Sequence, residues 1–196
     1  MGSARLGRSI LNYTASDSSR CRGAPIVRRC SVLAVTPVSF DSMELSPRLR
    51  ALIEQADRPG SLPGSAPDWR GISRLLEPAI EGAGWSGEDL VAIAMPGGSV
   101  LAISATGHVA AFEKGIFNKR VEVKKVSYQD VATIRSSERG VRGRDGSFIE
   151  GFDARGAELF ALRWSVGGGD PEYAEIQAGR AAAERDRVFR VMQSLI

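Results

Sequence analysis

Few side chains in this sequence are suited to acid–base, nucleophilic or metal chemistry. His108 is the only histidine, and both cysteines, Cys21 and Cys30, lie before residue 43. No cysteine, histidine or carboxylate cluster surrounds His108 at metal-ligand spacing, and no Gly-x-Ser-x-Gly motif marks a nucleophile. We therefore predict no metal, no cofactor and no catalytic residue, and we expect His108 to be a surface or barrel-rim side chain.

The lysines are concentrated in one short stretch. All four fall between residues 114 and 125, while the other basic residues of the chain are arginines. This stretch, the lysine hairpin, is a candidate site for an anionic lipid or phosphate, through Lys114, Lys119, Arg120, Lys124 and Lys125. The same lysines are also typical of a strand edge that is protected against pairing with another chain.

The predicted tip of the lysine hairpin carries two large apolar residues, Ile116 and Phe117. Exposed apolar residues at a turn can dip into a bilayer surface, and they can also contact another protein chain. An exposed sheet edge beside them would accept a strand from a partner or from a second copy. We favour this protein contact as the function of the region.

A second basic stretch surrounds three spaced glycines. Arg135, Arg139, Arg142 and Arg144 alternate there with Gly140, Gly143 and Gly146. No Gly-Lys-Ser/Thr follows and no helix opens after a strand, so the stretch is not a phosphate loop. We interpret it as a solvated hairpin loop, with an anion site as the alternative.

Charge is distributed unevenly along the chain. Six arginines against two aspartates give residues 1–42 a net charge of +4, which leaves 20 basic and 21 acidic groups in residues 43–196. This balance argues against a nucleic-acid-binding domain. No apolar run is long enough to cross a membrane, and residues 43–196 contain no cysteine, so we expect a soluble, cytoplasmic protein.

The organisation of the chain follows from composition and periodicity. Residues 1–42 are rich in serine and arginine and lack periodicity, which predicts a disordered extension, a targeting segment, or an upstream start with Met43 as the true first residue. Residues 43–86 form a helical segment and linker. One helix is predicted after Ser46 and Pro47, and a second after Asp68 that ends where Pro78 disturbs it.

Residues 87–196 show the pattern of short antiparallel strands followed by one helix. Val121 and Val123 share a face but Val126 and Tyr128 have the other parity, so we predict a β-bulge at Lys124-Lys125. After Gly167-Gly168-Gly169, an amphipathic helix is predicted with the apolar stripe Tyr173, Ile176, Ala183, Val188, Phe189, Met192 and Ile196. The predicted strands are 89–94, 99–104, 108–113, 120–128, 130–136, 147–153 and 158–164.

The stretch from Thr106 to Ile134 resembles the bacterial pleckstrin-homology-like (PH-like) domain family. Such families often show threonine–x–x–x–aliphatic, then a Lys-Gly turn, then tyrosine–x–x–aliphatic, and the chain has Thr106, Lys114-Gly115 and Tyr128 at these places. It departs from the pattern at His108, where arginine or lysine is usual. The resemblance covers residues 88–195 at most and implies a bent antiparallel barrel of about seven strands closed by the C-terminal helix.

Together these features predict an α+β, mainly β fold preceded by one or two short helices. We expect a non-enzymatic interaction module that binds a protein partner or itself through the sheet edge and the hairpin tip. Peripheral binding of anionic lipid or phosphate through the lysine hairpin is the alternative, and an enzyme of unrecognised class is a third.

Overall fold

The computed structural model describes residues 33–34, 45–58, 65–114, 120–141, 144–165 and 171–196. The predictions for residues 1–42 fall outside the described residues, except at a two-residue strand, β1 (Leu33–Ala34). The Gly167–Gly169 joint also lies outside them.

Two helices, α1 (Pro47–Gln55) and α2 (Trp69–Ala83), precede the remaining strands. Both predicted caps are confirmed: the backbone N–H of Leu49 donates to the Ser46 hydroxyl at 3.3 Å, and that of Gly71 donates to Asp68 Oδ1 at 3.1 Å. The predicted end of α2 at Pro78 is wrong. The helix continues through the buried Pro78 and ends at Gly84, whose φ of 70° is the left-handed conformation that glycine readily adopts.

Four strands form the first antiparallel sheet: β2 (Leu90–Ala94), β3 (Val100–Ser104), β4 (Gly107–Lys114) and β5 (Arg120–Ser127). They follow one another in space, and β1 extends the sheet beyond β5, giving the order β1-β5-β4-β3-β2.

The second antiparallel sheet has three strands, β6 (Thr133–Val141), β7 (Arg144–Phe152) and β8 (Glu158–Ser165). The helix α3 (Pro171–Gln193) closes the chain. All seven predicted strands are therefore confirmed within a few residues. The β6–β7 hairpin is longer than predicted, because pairing of Arg139 with Gly146 and of Val141 with Arg144 carries the ladder into the arginine-rich stretch.

The first sheet is covered on both faces. Along β3, Val100 and Ala102 pack with α1 and α2, while Leu101 and Ile103 pack with the second sheet and α3. All five residues of β3 are buried. The sheet is therefore the middle layer of the protein, with a separate apolar core on each side.

This two-sided burial explains why the predicted bulge at Lys124-Lys125 is wrong. β4 and β5 pair from Gly107 opposite Ser127 to Lys114 opposite Arg120 without a register shift. Val123 belongs to the core on the helix side, whereas Val126 packs against the core on the side of the second sheet. Apolar residues of both parities are therefore buried by one regular strand. A register shift occurs in β2 instead, where Val91 is the extra residue between Leu90 and Ala92.

The predicted apolar stripe of α3 is wrong at Ile176, Ala183 and Ile196, which are exposed. Ile176 is 51% exposed and Ala183 is exposed, whereas the polar side chains of Gln177 and Glu184 are buried. Val188 and Met192 occupy the core as predicted. Ion pairs hold polar side chains of α3 in its interface with the rest of the protein, so apolar periodicity alone does not identify the buried residues.

α3 packs against the second sheet and also contacts β2. Within the described residues no strand pairing joins the two sheets to each other. The fold is thus α+β, with two antiparallel sheets, a C-terminal helix, and two helices covering the outer face of the first sheet.

Candidate interaction surface

The described part of the lysine hairpin divides its cations between the two faces of the sheet. Ile116, Phe117 and Lys119 lie outside the described residues. Residues directly opposite each other in an antiparallel pair share a face. Lys125, opposite Val109, is therefore on the helix side. Lys114, opposite Arg120, and Lys124, opposite Ala110, are on the other side.

Lys125 binds the C-terminal end of helix α2. Its Nζ donates to the carbonyl oxygen of Ala83 at 2.8 Å and lies 5.4 Å from the centroid of the Trp85 ring. A cation at a helix C-terminus satisfies carbonyls that have no partner within the helix and interacts favourably with the helix dipole. Lys125 thus fixes α2 onto β5 and is turned away from the other cations.

The remaining charges form what we call the charged patch: Lys114, Arg120, Glu122 and Lys124. Lys114 Nζ lies 2.8 Å from Glu122 Oε1, and Lys124 Nζ lies 5.7 Å from the centroid of the Phe112 ring. The side chains of Lys114, Arg120 and Lys124 are exposed. With three cations and one carboxylate, the patch is positive on the side of the sheet that faces the second sheet.

The outer edge of β5 is paired with an extended segment of the same chain. Leu33 lies opposite Val123, and Ala34 lies opposite Glu122, in an antiparallel ladder. β1 thus covers two of the eight residues of β5. The outer side of β5 is therefore paired with a strand at these two positions. The sequence alone did not assign Glu122 and Val123 to any site.

The opposite edge of the sheet is occupied by arginines. Arg48 Nη2 donates to the carbonyl oxygen of Leu90 at 3.0 Å, and Arg187 Nη2 donates to that of Ile93 at 2.7 Å. A carbonyl that is bound to a guanidinium in this way is not available to an incoming strand. The two edges of the first sheet therefore differ in their capacity for strand addition.

An ion pair with the buried Glu184 holds Arg187 of α3 against β2. Arg187 makes two hydrogen bonds to the buried carboxylate of Glu184, from Nε at 2.8 Å and from Nη2 at 2.7 Å. Burial raises the pKa of Glu184, although the hydrogen bonds from Arg187 act in the opposite direction. About two turns before Arg187 on α3, Arg180 binds Asp57 beyond the end of α1. Burial raises the pKa of Asp57, but the hydrogen bonds and positive charges of Arg180 and Arg58 together outweigh burial and hold this pKa below its usual value.

His108 is in the core on the side of the second sheet, so the prediction of a surface or rim position is wrong. It is 1% exposed, and its ring lies 4.5 Å from that of Phe160 and 5.7 Å from that of Tyr128, centroid to centroid. Gly151 leaves room for Phe160, since a Cβ there would lie 2.0 Å from Cε1 of the ring. Burial lowers the pKa of His108 to about 3.

One ring nitrogen of His108 has no hydrogen-bond partner among the described residues. Its Nδ1 and the hydroxyl of Tyr128 are buried and make no hydrogen bond to the described residues. Burial also raises the pKa of Tyr128 above its ordinary range. The described residues contain no group of histidine, cysteine and carboxylate side chains that could hold a metal ion. Their helices include none that is long and apolar enough to cross a membrane.

Comparison of the chain with protein-family models, with curated proteins and with solved structures finds no match.

The buried histidine makes stability depend on pH. Because the pKa of His108 is about 3 in the folded chain and about 6.5 when unfolded, the unfolded state takes up a proton that the folded state excludes. This stability contribution is present above pH 6.5 and is lost as pH falls toward 3. We expect it to change by about 1.4 kcal/mol per pH unit between pH 6 and 4.5, measured by urea denaturation against the non-titrating variant His108→Leu.

The single histidine gives an independent readout of the same prediction. Its ring proton resonances should stay at the neutral position in NMR spectra from pH 8 to pH 5. A midpoint near pH 6.5, or an equal pH dependence of stability in His108→Leu, would show that the ring is solvated.

Proposed function

We propose that this protein is a non-enzymatic interaction module that binds a protein partner, or a second copy of itself, through the outer edge of β5. The hairpin tip with Ile116 and Phe117 would supply flanking contacts. We also propose that the fold is PH-like and the location cytoplasmic. The order of four strands, three strands and a C-terminal helix supports the first, and the lack of cysteine in residues 43–196 supports the second.

One observation carries the proposal: the edge of β5 pairs with β1. Strand addition needs a row of unpaired backbone groups and a strand that is free to extend beside them. Among the described residues, β1 meets β5 at Glu122 and Val123. Among the described residues, no strand pairs with the rest of this edge of β5, which leaves it open to a longer partner strand.

The rest of the first sheet supports the same choice of site. Its two faces are covered by apolar packing, and its β2 edge is bound by Arg48 and Arg187. Among strands β2 to β5, β5 is the least buried, and Val123 is its one buried residue. An edge of this kind gives affinity through main-chain hydrogen bonds and specificity through alternate side chains.

A peptide tests whether the β5 edge accepts a strand in trans. The full-length variant Leu33→Pro/Ala34→Pro releases the edge, because proline cannot donate a ladder hydrogen bond. A fluorescent peptide of residues 31–38 should bind this variant about tenfold more tightly than the unaltered chain, the factor expected for one or two net hydrogen bonds. Fluorescence anisotropy measures both affinities.

The matched control is the same peptide with the substitutions Leu33→Pro and Ala34→Pro. This control peptide should bind neither protein. If the released variant bound no peptide, or bound both peptides equally, β5 would not be a strand-addition site and the proposal would fail.

A second candidate function is binding of a phosphate group, and one feature of the charged patch favours it. Lys114 and Arg120 are directly opposite each other in the β4–β5 ladder. Like charges in this position destabilise a sheet, and a bound anion would relieve their repulsion. Glu122 neutralises part of this charge through its 2.8 Å ion pair with Lys114.

Vesicle co-sedimentation separates this candidate from strand addition. If the charged patch binds lipid phosphate, the full chain should pellet with vesicles that contain phosphatidylserine and not with neutral ones. Pelleting should fade at higher salt because the Debye length shrinks. The variant Lys114→Glu/Arg120→Glu/Lys124→Glu should then remain in solution.

The control is Arg50→Glu/Arg70→Glu/Arg155→Glu, which makes the same change in net charge at exposed arginines on α1, on α2 and in the turn before β8. Equal loss of pelleting in both variants would indicate non-specific attraction. Pelleting that inorganic phosphate abolishes would indicate recognition of the phosphate alone, and an absence of pelleting would exclude the lipid candidate.

A further inference from the structure

We propose that the occupant of the β5 edge is a second copy of this chain, paired antiparallel with β5 about a two-fold axis at Val123. This inference rests on the proposed strand-addition function and specifies its partner. The evidence is the order of charges along β5 and the position of β1.

The charges of β5 are self-complementary around Val123. Glu122 and Lys124 flank this residue and lie on the same face of the strand, the face of the charged patch. When Val123 lies opposite Val123 of the second copy, Glu122 lies opposite Lys124 of that copy, and Lys124 lies opposite its Glu122. Opposite charges at directly facing positions stabilise a strand pair. The two-fold axis creates this pair twice.

Other two-fold registers of the same strand are less favourable. Centring the pair on Glu122 or on Lys124 places like charges opposite each other. Centring it on Val121 joins Arg120 to Glu122, but only residues 120–122 of β5 then face each other. The register at Val123 pairs residues 120–126, nearly the full strand.

The geometry of the sheet is compatible with this pairing. A two-fold axis perpendicular to the sheet keeps residues of equal parity opposite each other, so the helix-covered faces of the two copies lie on one side and the second sheets on the other. Glu122 already binds Lys114 within its own chain at 2.8 Å. A carboxylate has two oxygens and several acceptor positions, so it can accept from Lys124 of the second copy as well.

β1 competes with the second copy for the same residues. It pairs with Glu122 and Val123, the centre of the proposed interface. A two-residue strand makes fewer ladder hydrogen bonds than a seven-residue one, so dimerisation replaces a short pairing with a longer one. Removing β1 should therefore strengthen self-association.

Sedimentation equilibrium of the full chain under reducing conditions tests the inference. Leu33→Pro/Ala34→Pro should dimerise about tenfold more tightly than the unaltered chain. In this released background, Glu122→Lys or Lys124→Glu alone should weaken dimerisation about tenfold, because each creates two like-charge pairs. The double reversal Glu122→Lys/Lys124→Glu should restore it to within about threefold, since the opposite charges again face each other.

The double reversal also distinguishes a second copy of this chain from a heterologous partner strand. A heterologous acidic strand would bind Glu122→Lys more tightly and the double reversal no better than the parent. A released variant that stays monomeric at every concentration, or a double reversal as weak as the single ones, would overturn the inference. If the peptide of residues 31–38 binds in that case, only the identity of the partner is wrong. If the peptide fails too, the strand-addition site itself is wrong.

Discussion

The structure depends on the burial of the first sheet between two apolar layers. Alternate residues of β3 belong to different cores, with Ala102 in the core beneath the helices and Ile103 in the core shared with the second sheet and α3. Sheets buried on both faces are best known among parallel α/β folds, whereas antiparallel ones often leave one face to solvent. In this chain the apolar parts of both faces are buried, so the edges of the first sheet and the charged patch are its candidate binding surfaces.

The two edges of the first sheet make different contacts with the surrounding chain. At β2, guanidinium groups from α1 and α3 bind the carbonyls, and the Glu184–Arg187 pair costs desolvation that only good hydrogen-bond geometry offsets. At β5, Lys125 is used to hold α2 and the outer backbone meets a strand of two residues. Helices α1 and α3, which supply Arg48 and Arg187, are thus part of the reason why the two edges differ.

Local signals in the sequence were sufficient for much of the fold. Alternation and turn residues located all seven strands, and Ser46 and Asp68 located the starts of two helices, because these signals act over a few residues. The sequence could not show which face each residue occupies when both faces are buried. The switch of parity between Val123 and Val126 was therefore mistaken for a bulge, and His108 was placed at the surface.

The candidate site was predicted only in part for the same reason. Clustering of the lysines in sequence suggested one binding surface, but neighbouring residues of a strand point to opposite faces, so Lys124 and Lys125 separate. The Arg180–Asp57 ion pair, the hydrogen bond from Arg187 to the Ile93 carbonyl and the pairing of β1 with β5 join residues about ninety or more positions apart. Periodicity within one segment carries no information about such contacts.

Amide hydrogen exchange along β5 tests the central claim most directly, because it reports the pairing of each backbone N–H. Dilute samples of the unaltered chain and of Leu33→Pro/Ala34→Pro should differ at the outward-facing amide among Glu122 and Val123, with faster exchange in the variant and no change in β2, β3 or β4. Unchanged exchange in β5, or faster exchange spread across the whole sheet, would contradict the account of β5 as the one edge of this sheet that accepts a strand.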